Sequence, residues 1–235
     1  MKTFLLTAAV AVVSLTSCTA QAQVKQPRQI SGFRQVSSSG GIDVFLTQGS
    51  TTSVVVEAAP QAQDHVVTEV KNGTLSIGWE SGYSWRRLLS AARKVNVYIT
   101  CPQLAGLSLS GGSDAKSEST FTADDFRLSA SGGSDVRMAL TAKSLAVEAS
   151  GGSDVNLSGR VERQNVAVSG GSDYKAYGLQ STTARVEASG GSDVYLTVSE
   201  ELSSSASGGS DVHYKGGARL ASSSASGGSG VHHVQ

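Results

Sequence analysis

Ser131-Gly132-Gly133-Ser134-Asp135-Val136-Arg137-Met138 is followed nineteen residues later by Ser150-Gly151-Gly152-Ser153-Asp154-Val155-Asn156-Leu157, and this recurrence decides the fold. The pentapeptide Ser-Gly-Gly-Ser-Asp begins at Ser110, Ser131, Ser150, Ser169, Ser189 and Ser207, and a seventh copy at Ser226 ends in Gly230 instead of Asp. The spacings are 21, 19, 19, 20, 18 and 19 residues. Self-similarity at a fixed short period marks an array of stacked units.

The flanks carry the second half of the signal. After the Asp position stand Ala115, Val136, Val155, Tyr174, Val194, Val212 and Val231, and two residues further Met138, Leu157, Ala176, Leu196 and Tyr214. Before each Ser stand Leu109, Ala130, Ala149, Val168, Ala188, Ala206 and Ala225, and two residues earlier Leu107, Leu128, Val147, Val166 and Val186. Apolar residues at period 2 on both sides of a glycine turn describe strands entering and leaving a tight corner.

A unit of about 19 residues is too short for a propeller blade and shows no helical period. It cannot bury its own apolar face, so it must stack on its neighbours. The fold class is therefore all-β, a right-handed parallel β-helix (β-solenoid) with two or three short strands per turn and rungs ~4.8 Å apart. The regular part covers residues 106–235. Upstream, Ile42–Leu46, Ser53–Glu57, Val66–Val70, Thr74–Trp79 and Val95–Thr100 read as strands, with Gly49-Ser50 and Asn72-Gly73 as turns and a helical turn at 60–65. Residues 30–105 are expected to form irregular first coils and a cap on the same solenoid; a separate β-sandwich is the alternative.

The first 22 residues form a targeting segment. Lys2 precedes the apolar run Phe4–Leu15, which is too short to span a bilayer. Leu15-Thr16-Ser17-Cys18 resembles a lipobox with Cys18 as the lipidated residue, and Ala20-Gln21-Ala22 resembles an ordinary signal-peptidase site. The expected location is outside the cytoplasm: an outer-membrane lipoprotein or a periplasmic protein, with exposure at the cell surface open. Membrane contact is expected only through the N-terminal lipid. Cys101 is the other cysteine, so no intrachain disulfide is expected once Cys18 is lipidated or removed.

The order Gly40-Gly41-Ile42-Asp43-Val44, Gln48-Gly49, Asn72-Gly73-Thr74-Leu75, the Val-x-Val-Tyr-Ile-Thr-x-Pro stretch at 95–102 and the Ser-Gly-Gly-Ser-Asp repeats resembles the head GIN domain family of auto-transporter adhesins, common in Bacteroidota as exported proteins or lipoproteins. The resemblance covers about residues 30–235. Its naming tripeptide Gly-Ile-Asn stands here as Gly41-Ile42-Asp43. The resemblance implies a parallel β-helix and an adhesive role.

Asp114, Asp135, Asp154, Asp173, Asp193 and Asp211 should line up as an acidic ladder. Carboxylates ~4.8 Å apart repel by about 1 kcal/mol in water and by several at an effective dielectric of ~20. Two residues on, Lys116, Arg137, Asn156, Lys175, Tyr195, His213 and His232 should form a mostly basic ladder on the same face. Internal neutralisation by Lys116, Arg137 and Lys175 and by the turn amides is the leading account of the acids, and Ca²⁺ between carboxylates is the other.

Tyr83, Trp85, Arg86 and Arg87 combine residue types enriched at recognition hot spots and form a candidate ligand-binding segment, with capping of the column as the competing role. His213, His232 and His233 are read as surface residues of the last rung. Nineteen basic against nineteen acidic residues excludes a nucleic-acid binder, which needs a basic face. No cofactor and no catalytic residues are expected, because the rungs at 131–215 are too uniform for an active site. The expectation is a non-catalytic cell-envelope protein that binds a glycan or an envelope or host protein, with oligomers through the solenoid ends conceivable; a polysaccharide-active β-helix enzyme is the alternative.

Overall fold

The structure, a computed structural model, describes residues 23–82 and 94–235. It is a β-solenoid of about 7 turns with ~19 residues per turn. Parallel ladders join β9 (Ala115–Ser131), β10 (Asp135–Ser150), β11 (Asp154–Val168), β12 (Asp173–Ala188) and β13 (Asp193–Ala206). The column ends with β14 (Asp211–Lys215), β15 (Arg219–Ala225) and β16 (Gly230–His233).

Each full turn is one long bent strand of 14–17 residues, not two or three short ones. Bending does not require breaking the ladder. Register shifts between Arg137 and Ala139, Asn156 and Ser158, and Ala176 and Gln180 absorb the corner, as β-bulges do. These bulges also take up the unequal repeat lengths. Against the short unit at Ser189, residues 177–179 are surplus at that corner, with Tyr177 exposed and Leu179 buried in the core.

The core is a set of apolar ladders. Val44, Ala115, Val136, Val155, Tyr174, Val194 and Val212 form one, and Leu107, Leu128, Val147, Val166 and Val186 another, all buried. Burial of each larger side chain contributes about 1.5–3 kcal/mol. Tyr174 fills a place that Val holds in most turns. Its hydroxyl donates to Gln164 Oε1 at 2.8 Å, Gln164 Nε2 donates to Ser181 Oγ at 2.7 Å, and Ser181 donates to Thr197 O at 2.9 Å. Burial pushes the Tyr174 phenol up, so it is a neutral donor. Cys101 is buried, and loss of solvation raises its thiol to about 11; it packs as a small hydrophobe.

The N-terminal strands continue the same ladder in an order unlike the chain's. β2 (Gln35–Ser39) and β3 (Ile42–Gln48) flank Gly40-Gly41 and stack on β8 (Gly106–Ser110) and β9. Beneath them lie β6 (Thr74–Trp79) and β7 (Val95–Cys101), also parallel. The rung made later in the sequence is therefore spatially first. Antiparallel strands close the end: β5 (Val66–Lys71) on β6, β4 (Ser53–Ala58) on β7, and β1 (Val24–Arg28) on β4. The short helix α1 (Pro60–Gln63) links β4 to β5, and Gln63 Nε2 donates to Val24 O and Val56 O to hold β1 in place. Pro27 in the edge strand β1 removes a donor from the outer rim.

Successive Gly-Gly turns stack backbone on backbone. At Gly132 φ is +67°, and a Cβ would lie 3.1 Å from Gly111 N, whereas at Gly133 (φ +77°) nothing lies within 4 Å. Gly132→Ala should therefore cost about 2–3 kcal/mol and Gly133→Ala about 1 kcal/mol, read as a difference in urea midpoint at unchanged slope. Tyr174→Phe should cost about 1–2 kcal/mol by orphaning Gln164 Oε1. A double variant that also replaces Gln164 with Leu should recover part of that loss in the same titration.

Candidate functional site

Residues just after each Gly-Gly turn alternate between the core and the outside. The outward set forms two adjacent rows. Asp43, Asp114, Asp135, Asp154, Asp173, Asp193 and Asp211 share one. Tyr98, Phe45, Lys116, Arg137, Asn156, Lys175, Tyr195, His213 and His232 share the other. Both rows face solvent on the side of the column that follows the turns.

Asp43 is a member of the acidic row that the pentapeptide spacing does not reveal. Ser39-Gly40-Gly41-Ile42-Asp43 is a degenerate copy of the pentapeptide, with Ile42 in place of the second Ser and 71 residues before Asp114. Its Gly-Gly pair has φ of +77° and +75°, as in the turns at Gly111-Gly112, Gly132-Gly133 and Gly151-Gly152. Below it the turn stack stops, because the Trp79 ring lies against Gly40 and its Nε1–H donates to Gly40 O at 2.8 Å.

The second Ser of the repeat is an internal linker. Ser113, Ser134, Ser153, Ser172, Ser192 and Ser210 are fully buried. Ser172 Oγ accepts N–H bonds from Gly152 (3.1 Å) and Ser153 (3.0 Å) of the preceding turn, and Ser113 Oγ accepts from Gly41 and Ile42 (3.1 Å each). Ser134, Ser153, Ser192, Ser210 and Ser229 each donate to the carbonyl of the first Ser of their own turn, at 2.7–3.0 Å. Small hydroxyls thus satisfy the buried turn amides, which would otherwise cost about 1–3 kcal/mol each.

The turn amides are therefore engaged by serine, and the carboxylates take other donors. Asp114 N–H donates to Asp43 Oδ1 at 3.2 Å, and Asp135 N–H donates to Asp114 Oδ1 at 3.0 Å. Lys175 Nζ sits between Asp154 (3.3 Å) and Asp173 (3.0 Å), and the Asp173 hydrogen bond leads in raising its pKa. Lys94 lies 3.5 Å from Asp43, the Tyr195 hydroxyl 3.4 Å from Asp193, and His232 Nε2 3.6 Å from Asp211. Lys116 does not join in: it pairs with Glu118 at 3.0 Å. Among the described residues Arg137 makes no ion pair.

The second row is aromatic at both ends. Phe45 and Tyr98 stack at 5.1 Å, with Lys25 over the Tyr98 ring and the Tyr98 hydroxyl donating to Glu57 at 2.6 Å. At the other end Tyr195, His213 and His232 stack at 5.1 Å intervals. Tyr177, in the bulge of β12, meets Tyr195 edge-on at 5.5 Å, and Lys215 lies 4.9 Å over its ring. The period-2 pattern places these residues outside, but the stacking of Tyr195 on His213 needs the parallel register, and Tyr177 needs the bulge.

Cys18, the targeting segment, and Tyr83, Trp85, Arg86 and Arg87 lie outside the described residues. Among the described residues no group of three or more His, Cys, Asp and Glu side chains is placed to hold a metal ion. No described helix is long and apolar enough to cross a membrane.

The stacked Gly-Gly turns and parallel ladder define a class, the β-solenoids. A family model described as "putative auto-transporter adhesin, head GIN domain" matches residues 32–218, and the chain belongs to that family. A putative adhesin from Bacteroides fragilis has the same fold (TM-score 0.82, 19% identity, 92% of this chain and 98% of that one). A putative adhesin from Parabacteroides merdae (TM-score 0.66, 15% identity) and a putative lipid binding protein from Parabacteroides distasonis (TM-score 0.65, 19% identity) each cover 92% of this chain and 98% of their own. No curated protein sequence matches the chain.

Thermal melts of the protein in millimolar Ca²⁺ and in excess chelator should share one midpoint. Strand amides and Lys175 already occupy oxygens of the acidic row, and a bound cation would instead raise the midpoint with concentration.

Proposed function

We propose that this protein is a non-catalytic binding module of the cell envelope, exported by its N-terminal segment and held there by a lipid on Cys18. Its binding face is the paired outward rows that follow the Gly-Gly turns. The observation that carries this reading is the Tyr177, Tyr195, His213 and His232 cluster. Aromatic rings are held in fixed register beside carboxylates and ammonium groups on a rigid, solvent-facing sheet. A solvated surface needs no such row, and recognition surfaces are enriched in these residue types. Family membership and the adhesin-like neighbours support an adhesive role.

A polysaccharide-active enzyme is the weaker reading. Its carboxylates would have to be free and set apart from the repeat, whereas Asp43 and Asp114 accept strand amides and Asp154 and Asp173 hold Lys175.

Immobilised protein should retain a partner from a panel of purified envelope glycans, host glycans and extracellular proteins without forming any product. A Lys175→Ala, Tyr195→Ala double variant should lose that retention at an unchanged melting temperature. Release of new reducing or unsaturated ends would turn the assignment to the enzyme. Retention untouched by the double variant would move the site off this face.

A further inference from the structure

Resting on that reading of the face, we infer that its C-terminal part binds a neutral, extended glycan laid along the solenoid axis, with successive sugars on successive rungs. The segment runs from Asp154 and Lys175 to His232.

Three features of this segment select the ligand class. The first is ring geometry. Tyr195 and His213 are 5.1 Å apart and 8° from parallel, and His213 and His232 are 5.1 Å apart and 22° from parallel. A planar group inserted between two rings needs about 7–8 Å. The ring faces are therefore closed to nucleobases and other flat ligands, and the stack presents edges: the Tyr195 hydroxyl and the imidazole nitrogens. These edges are hydrogen-bonding groups.

The second is charge. Asp154, Asp173, Asp193 and Asp211 face Lys175 and Lys215 in this segment, so four acids meet two ammonium groups. Lys175 is already held between Asp154 and Asp173. A sulfated, phosphorylated or otherwise anionic chain would meet net repulsion. A neutral polyol would not, and each carboxylate keeps acceptor capacity for hydroxyl groups.

The third is periodicity. The ladder repeats acceptor and donor at every rung, ~4.8 Å apart, close to the advance of one hexose in an extended chain. A polymer with one hydroxyl-bearing unit per step can repeat the same contacts along the row. Tyr177, pushed outward by the bulge and 37% exposed, adds apolar ring surface beside this row for the C–H face of a sugar. The other end of the row lacks this combination: Lys25 and Glu57 close over Tyr98, and in the middle Lys116 and Arg137 stand where the C-terminal segment has rings.

Calorimetric titration of the full chain with neutral linear oligomers of two to six sugars (β-1,4-glucan, β-1,4-mannan, β-1,3-glucan and α-1,4-glucan series) tests this, with heparin as the anionic comparator. At least one neutral series should bind, with affinity rising for each added sugar up to about the number of rungs in the segment. Tyr195→Ala and His213→Ala should each lower that affinity at least tenfold with the thermal midpoint unchanged. Ser205→Ala, at an exposed position of β13 just before its turn, should change nothing. Binding of heparin alone, affinity independent of chain length, full affinity in Tyr195→Ala, or no binding by any neutral series would each overturn the inference. If no neutral series binds while the Lys175→Ala, Tyr195→Ala variant still abolishes retention of a protein partner, the ligand class falls and the binding face stands. If that variant abolishes nothing, the face itself falls.

Discussion

Every feature of this column depends on how closely one Gly-Gly turn can lie on the next. Parallel strands hydrogen-bond only at ~4.8 Å, so the corners joining them must repeat at that spacing as well. A side chain at Gly132 would point into the backbone of Gly111. Glycine is therefore required by the neighbouring rung as much as by its own φ. Once the corner closes, the strands on both sides are locked in parallel register, and equivalent residues of successive units must stack.

Stacking makes identical polar residues a liability, and the corner resolves it with two kinds of side chain. The buried serines accept amides from the turn before and donate to their own turn's carbonyl. The half-exposed aspartates accept strand amides at the N-terminal end and share Lys175 in the middle. Ser and Asp are thus not interchangeable in the pentapeptide: one neutralises dipoles inside the column and the other carries charge along its rim.

The same register makes one surface from residues that are far apart in sequence. Tyr195, His213 and His232 come from three units and meet as one stack. Because the ladder holds them, little side-chain entropy would remain to be lost if a ligand bound there, the general advantage of preorganised sites. The proposed face is distinguished at the few positions where the repeat is broken: an aromatic in place of Lys or Arg, and a bulge that turns Tyr177 outward.

The sequence by itself determined the β-solenoid, its rung length, the strand positions from Ile42 to Thr100, and the two outward rows from Asp114 and Lys116 onward. These follow from period-2 alternation around a recurring glycine turn, which is local information. Only the tertiary structure decided the rest. It placed β6 and β7 beneath β2 and β3 although they come later in the chain, because the antiparallel strands β4 and β5 carry the chain to the end of the column and back. It added Asp43 to the acidic row, since a rung 71 residues upstream can stack directly on Asp114. It turned Lys116 toward Glu118 and gave Asp43 and Asp114 to strand amides, a choice between nearby partners that spacing does not encode. It also bent each turn as one long strand, because bulges let a parallel ladder round a corner without breaking.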